Sequence, residues 1–250
     1  LATPPLCSHD QESRMSNQQN DAKRAAARRV IQDFVFDGMT LGLGSGTTSH
    51  FFVRELGQHV AKGLQLTCTT TSRATSEVAR DVGIELSDPN EMNEIDLTID
   101  GPDEIDRRFN MIKGGGACLL WEKIIAHASK RMICICDETK IVNCLGQFPL
   151  PVEIVPFAWK QTERRVERVL AEQGLHHVPI IRRMGGGHPV ITDSGNFILD
   201  CHCGAIITAP EPLEIELNRI PGVVENGLFT REATGMVVGY FDGSSYVQLR

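Results

Sequence analysis

Carboxylates crowd one stretch of this chain: Asp100, Asp103, Glu104 and Asp106 are followed by Lys113, by the consecutive glycines Gly114, Gly115 and Gly116, and then by Glu122. Acid, base and a glycine-rich turn at this density suit proton transfer on a small anionic substrate. Glu122 carries the sharpest signal. A helix expected over residues 117–130 places Cys118, Leu119, Ile125 and Ala126 on its face, with no Lys or Arg three or four positions away. A carboxylate on an apolar stripe is costly unless it is paired elsewhere or used. Burial would raise its pKa, as a general base working near neutral pH requires. Lys140, among polar residues at the end of another expected strand, is a candidate anion binder, although a lone lysine is more often simply solvated.

A second candidate precedes this stretch. Residues 39–43 read as a strand running into Gly44, Ser45, Gly46, Thr47 and Thr48, with a helix expected over 49–56 and closed by Gly57. Strand, glycine-rich turn and helix aim backbone N–H groups at a phosphate. The P-loop motif fails for want of its lysine. The dinucleotide fingerprint fails for want of its third glycine and of an acidic residue ending the next strand. What remains is a hydroxyl-rich cradle, with a plain β–α turn as an equal alternative.

The elements that must position these residues read as follows. Helices are expected over residues 21–36, 72–82, 160–173 and 211–219. Strands are expected over 64–68, 83–86, 95–99, 131–136, 151–156, 178–184, 197–203 and 223–229, and a hairpin over 235–249 turning at Asp242 and Gly243. The strand over 95–99 delivers Asp100, Gly101, Pro102 and Asp103 at its carboxyl end, where ligand sites of open α/β sheets lie. From residue 149 the order becomes β-α-β-β-α-β, which suggests a small antiparallel α+β domain. The expected division is a catalytic domain of residues 21–148 with 230–250, and a small domain of residues 149–229.

Bulk composition narrows the class. A chain of 250 residues, 41% hydrophobic and 23% charged, is an ordinary globular protein. Its net charge of -7 argues against a nucleic-acid partner but permits a local phosphate site. No apolar run approaches the roughly 20 residues of a membrane span. Of the 8 cysteines, Cys134 with Cys136 and Cys201 with Cys203 sit two apart in strand-like runs. Each pair lacks the second half of a zinc site, so core packing is favoured over a metal, and none is expected. Reduced thiols and a cytoplasmic location follow, with a processed organellar leader left open. Residues 1–20 are polar, lack a signal-peptide core and read as a disordered or non-native extension.

Taken in order, the motifs identify a family. From residue 22 onward the chain closely resembles ribose-5-phosphate isomerase of type A. The resemblance is carried by residues 42–48, 100–104, 112–117, 122–124, 137–140, 148–153, 192–196 and 221–229. Two departures stand out. Ser45 and Thr47 exchange the family's usual hydroxyls, and Pro102 replaces its usual alanine, removing one backbone N–H.

The resemblance implies an α/β fold: a Rossmann-like three-layer domain with a smaller α+β, ferredoxin-like domain inserted before the last strands, assembled as a homodimer or homotetramer. It implies cofactor-free interconversion of D-ribose 5-phosphate and D-ribulose 5-phosphate through a cis-enediolate. Glu122 would be the base, and Asp100, Asp103 and Lys113 would line the reacting end of the sugar. Ser45, Gly46, Thr47, Thr48, Gly101, Gly114, Gly115, Gly116 and Lys140 would bind substrate. Lys113 and the amides of Gly114 to Gly116, at the start of the Glu122 helix, would hold the intermediate's negative oxygen. A related amino-sugar phosphate isomerase-deaminase and a non-catalytic sugar-phosphate sensor domain are the competing readings. The motif wording disfavours the first, and the absence of a DNA-binding helix pair the second.

Overall fold

The structure, a computed structural model, describes residues 9–250. Its first part comprises α1 (His9–Phe34), β1 (Thr40–Leu43), α2 (Gly46–Val60), β2 (Thr67–Thr70), α3 (Arg73–Asp81), β3 (Leu97–Asp100), β4 (Glu104–Ile105), β5 (Met111–Ile112), α4 (Leu119–His127) and β6 (Met132–Asp137). There follow β7 (Leu150–Ile154), α5 (Trp159–Glu172), β8 (Ile180–Arg182), β9 (Met184–Gly185), β10 (His188–Pro189), β11 (Phe197–Cys201), α6 (Pro210–Asn218) and β12 (Val223–Asn226). The chain ends with β13 (Leu228–Phe229), β14 (Gly235–Gly239) and β15 (Ser245–Leu249).

The main sheet has the order β15-β14-β6-β3-β1-β2, parallel except for β15. β1 lies between β2 and β3, so successive crossovers leave it in opposite directions and open a crevice between the carboxyl ends of β1 and β3. Leu43 is level with Ile99, which places Gly44 and Asp100 side by side at that crevice. The central strands β3, β6 and β14 are buried on both faces, and their side chains alternate between two cores. Ile133 and Ile135 of β6 join Val30, Leu41, Phe52 and Ile99 in the core under α1, α2 and α3. Met132, Cys134 and Cys136 join Met111, Ala126 and Phe229 on the other face, which is the packing role expected of that cysteine pair.

Between β6 and β14 the chain forms a second sheet of order β12-β7-β11-β8, antiparallel throughout. In its own numbering this is the 4-1-3-2 order of a ferredoxin-like unit, covered by α5 and α6 with Val166, Leu170, Leu213 and Leu217 in its core. Cys201 and Cys203 are buried in the same core.

Several sequence expectations need correction. α1 begins at His9, so residues 9–20 are helical rather than irregular; this stretch contains no glycine or proline to stop a helix. Residues 1–8 of the expected extension lie outside the described residues. α2 starts at Gly46 and runs through Gly57, which packs against Val82 instead of capping the helix. Residues 83–86 pair only through a single bridge, Cys68 to Leu86. The run over 223–229 divides at Gly227, whose close approach to the Lys113 carbonyl admits no side chain. β13 therefore leaves the second sheet and pairs with β5, which in turn pairs with β4.

Candidate active site

Asp100 ends β3 with no solvent exposure. Its Oδ1 accepts hydrogen bonds from the Ser45 N–H at 3.0 Å, the Ser49 hydroxyl at 3.1 Å and the Gly101 N–H at 2.7 Å. Its Oδ2 lies 3.0 Å from Lys113 Nζ. Gly44 is required beside it, since a Cβ there would come within 2.2 Å of the carboxylate. Lys113 follows β5, is 1% exposed, and donates to the Gly101 carbonyl at 2.6 Å. Its Nζ also stands 3.3 Å from Glu122 Oε1.

Glu122 lies in the first turn of α4, buried among Leu119, Ile125 and Ala126, and its Oε2 has no protein hydrogen-bond partner. The adjacent Lys123 fixes this helix from below, donating to Glu214, Glu225 and the carbonyls of Asn226 and Leu228. Asp103 completes the group, accepting the Gly115 N–H at 2.7 Å. The other two carboxylates of the opening cluster are structural. Glu104 accepts from the backbone N–H groups of Gly146 and Phe148, and Asp106 from those of Arg108 and Asn110.

Two buried carboxylates, Asp100 and Glu122, thus share one ammonium, with Asp103 nearby. Burial pushes Glu122 up to about 8; Lys113 opposes the shift, and Asp100 and Asp103 add to it. Burial disfavours the charged form of Lys113, but Asp100 and Glu122 outweigh it, and the ammonium is held above its ordinary pKa. Asp103 is raised by burial against the counteracting Gly115 N–H and Lys113.

The anion cradle lies next to this group. Ser45 is the N-cap of α2 but makes no side-chain cap bond; its hydroxyl pairs with that of Thr71 at 2.7 Å. The helix's first N–H groups are therefore open at Gly46 and Thr47, both exposed, with Thr48 buried just behind them. Lys23 was not among the site residues expected from the sequence. It is 8% exposed on α1, and its Nζ lies 3.3 Å from Thr47 Oγ1. Burial lowers its pKa; Asp137 raises it and nearby Lys140 lowers it further, so two cations converge here. α1 reaches this position because Gly239 of β14 lets the Ala22 backbone approach; a Cβ there would fall 1.8 Å from the Ala22 carbonyl. The signal was present in the sequence, since Lys23 shares a helical face with the buried Ala26, Ala27 and Val30.

The predicted residues therefore fall into two adjoining groups. Asp100, Gly101, Asp103, Lys113 and Glu122 form the carboxylate–lysine centre; Ser45, Gly46, Thr47, Thr48 and Lys140 surround the helix terminus. The glycine triplet requires correction. α4 begins at Leu119, and Ala117 takes a left-handed φ of 59°, so Gly114, Gly115 and Gly116 form a separate turn before the helix. Gly115's N–H is engaged by Asp103 and is not a free donor. Pro102 is buried at the strand end.

A doubly wound sheet with a buried acid–base centre beside a cationic helix terminus defines an α/β enzyme that moves protons on a phosphorylated small molecule. Residues 67–243 match the family of ribose 5-phosphate isomerase A (phosphoriboisomerase A). The chain is 47% identical over 228 residues to the ribose-5-phosphate isomerase A of Ruegeria sp. (strain TM1040), covering 91% of this chain and 86% of that one. It is also 47% identical to that of Rhodopseudomonas palustris (strain HaA2), covering 91% and 97%. Among solved structures, ribose 5-phosphate isomerase from Plasmodium falciparum superimposes with a TM-score of 0.87 at 30% identity, covering 92% of this chain and 99% of that one. The isomerase A of Methanocaldococcus jannaschii gives 0.83 at 35% identity, covering 93% and 100%. The chain belongs to the ribose 5-phosphate isomerase A family, and it is an isomerase of ribose 5-phosphate.

Proposed function

We propose that Glu122 is the single base of this isomerisation, carrying a proton between C2 and C1 of the open-chain sugar on one face of a cis-enediolate. The observation that carries the reading is its geometry: a buried carboxylate with one oxygen 3.3 Å from Lys113 and the other unpartnered. Lys113, held by Asp100 and the Gly101 carbonyl, is a fixed positive charge for the enediolate oxygens. Asp100 is committed as its support, with Oδ1 taking three donors and Oδ2 facing the ammonium at 3.0 Å. Asp103, with a raised pKa and one oxygen not held by Gly115, is the better candidate for moving the ring-opening proton. A family structure 36% identical to this chain is a complex with phospho-erythronic acid. In this chain the carboxylate of such a ligand would face Lys113 where the enediolate forms, with its phosphate at the α2 terminus. Conversion of ribose 5-phosphate to the ketose by chelator-treated protein is the direct assay, and a folded but inactive protein would sink the reading.

Two results follow. kcat/KM should rise with pH along a single ionisation near 8, because Glu122 must shed its proton to act and its burial holds that proton to about 8. A profile flat from pH 6.5 to 9 would contradict this. Lys23→Met should raise KM about tenfold or more with little change in kcat, since a charge-assisted contact to phosphate contributes about 1.5–3 kcal/mol to ground and transition state alike. Steady-state kinetics separate the two constants.

The division into residues 21–148 with 230–250 and residues 149–229 belongs to the same proposal. A separate core in the second unit supports it, although Ile112 and Leu145 of the first unit also pack there. No helix among the described residues is long and apolar enough to cross a membrane. A cytoplasmic location and a homodimer or homotetramer are proposed on the family resemblance.

A further inference from the structure

We infer that Arg183 is a positioning residue for this reaction: from the inserted unit it orients the Gly114–Gly115 peptide, and through that peptide the Asp103 carboxylate. Arg183 lies between β8 and β9, and its backbone N–H is tied to the Ile198 carbonyl at 2.8 Å. Each of its guanidinium nitrogens is used. Nε and Nη2 grip the two oxygens of Asp200 at 2.9 and 2.5 Å. Nη1 donates to the Gly114 carbonyl at 2.8 Å and the Gly115 carbonyl at 3.0 Å.

The Gly114 carbonyl and the Gly115 N–H belong to one planar trans peptide and point in opposite directions. Arg183 holds one side of that plane and Asp103 Oδ2 takes the other at 2.7 Å. With three glycines in succession, the turn's only internal tie on that plane is the Ala117 N–H, which donates to the Gly114 carbonyl at 2.9 Å. Arg183 adds a second tie from the inserted unit, and donation from a cation to the carbonyl strengthens the N–H as a donor. The guanidinium also acts on the Asp103 carboxyl as a nearby positive charge that favours its ionised form, so Arg183 contributes both direction and charge. Lysine cannot replace the arrangement, because one ammonium cannot serve both a carboxylate fork and two carbonyls.

The inference rests on Asp103 lining the reacting end of the site. The test is a double-mutant cycle in the full chain, with kcat and KM measured for Arg183→Ala in the native and Asp103→Ala backgrounds. In the native background kcat should fall about 10- to 100-fold with KM changed less than about threefold, since the defect is misplacement at the reacting end. Arg183→Lys should not restore it. In the Asp103→Ala background the same substitution should cost less than about twofold. The Asp103 carboxyl, followed by carbon-13 NMR, should titrate at higher pH in Arg183→Ala, because its charged form loses a well-directed hydrogen bond and a nearby positive charge. If Arg183→Ala unfolds at the assay temperature, Asp200→Asn, which keeps the guanidinium but weakens its anchor, enters the same cycle. Equal losses in both backgrounds, or an unmoved Asp103 titration, overturn the inference while leaving the site reading intact. An Asp103→Ala variant with undiminished kcat overturns the site reading itself.

Discussion

Glu122→Gln should retain substrate binding and lose about 10²- to 10⁴-fold in kcat, the range that general-base catalysis contributes. Glutamine fills the same volume on α4 and keeps an oxygen toward Lys113, so the fold and the cradle stay as they are. What disappears is the group proposed to take the C2 proton. The substitution also has a sign in stability. The Glu122 carboxyl has an ordinary pKa of 4.5 and a folded value of about 8. Between those values the folded state binds more protons than the unfolded one, so the native chain loses stability as pH rises across that window. The glutamine variant lacks this loss. Its Tm should therefore gain on the native protein's between pH 5 and pH 8, as expected when a site holds a group at a cost in stability. Near-native turnover, or a Tm difference that does not change with pH, would remove Glu122 from the role.

The parts of this site that were legible in the sequence were those written in local periodicity. Glu122 breaks an apolar helical stripe, and Asp100 ends an apolar strand run; both patterns survive in the structure because the burial they imply is local. Lys23 carried a pattern of the same kind, but a lysine near the start of a polar helix resembles solvated surface. Its role depends on α1 docking over β14, which a glycine far along the chain permits. Arg183 could not be read at all, since its partners at Gly114, Gly115 and Asp200 meet it only through tertiary structure.

The fold divides in the same way. The long parallel strands and the ferredoxin-like order followed from alternation and spacing. β4, β5 and β13 are two residues each, too short to show any period, yet they carry Asp103 and Lys113 into place. Gly57 reads as a helix stop and Gly227 as strand interior, yet both are sites of close approach that only the neighbouring atoms of the folded chain reveal. The glycine triplet stands out in the sequence, but its geometry follows from Arg183, Asp103 and the Ala117 N–H and not from the helix behind it.

Lys113→Met should be the most damaging single change after loss of the base, and in two ways at once. Preorganised charge at a developing oxyanion is worth about 10²- to 10³-fold in rate, and among the described residues Lys113 is the sole ammonium in contact with Asp100 and Glu122. Methionine fills most of the volume but leaves carboxylates without their counter-charge inside a closed site. Removing one partner of a buried ion pair costs about 3–5 kcal/mol. That cost requires the carboxylates to be ionised, so its pH dependence is fixed. With Lys113 gone the folded pKa of Glu122 moves further up, and stability is lost as pH rises above its unfolded value. The Tm deficit should therefore be small near pH 5 and grow toward pH 8. The residual activity should shift alkaline of the native profile, because the opposing influence of Lys113 on Glu122 is removed. A deficit independent of pH would mean that Lys113 acts by packing alone. A pH–rate profile left in place would mean that Lys113 does not set the proton affinity of Glu122, and the electrostatic coupling at the centre of this site would have to be abandoned.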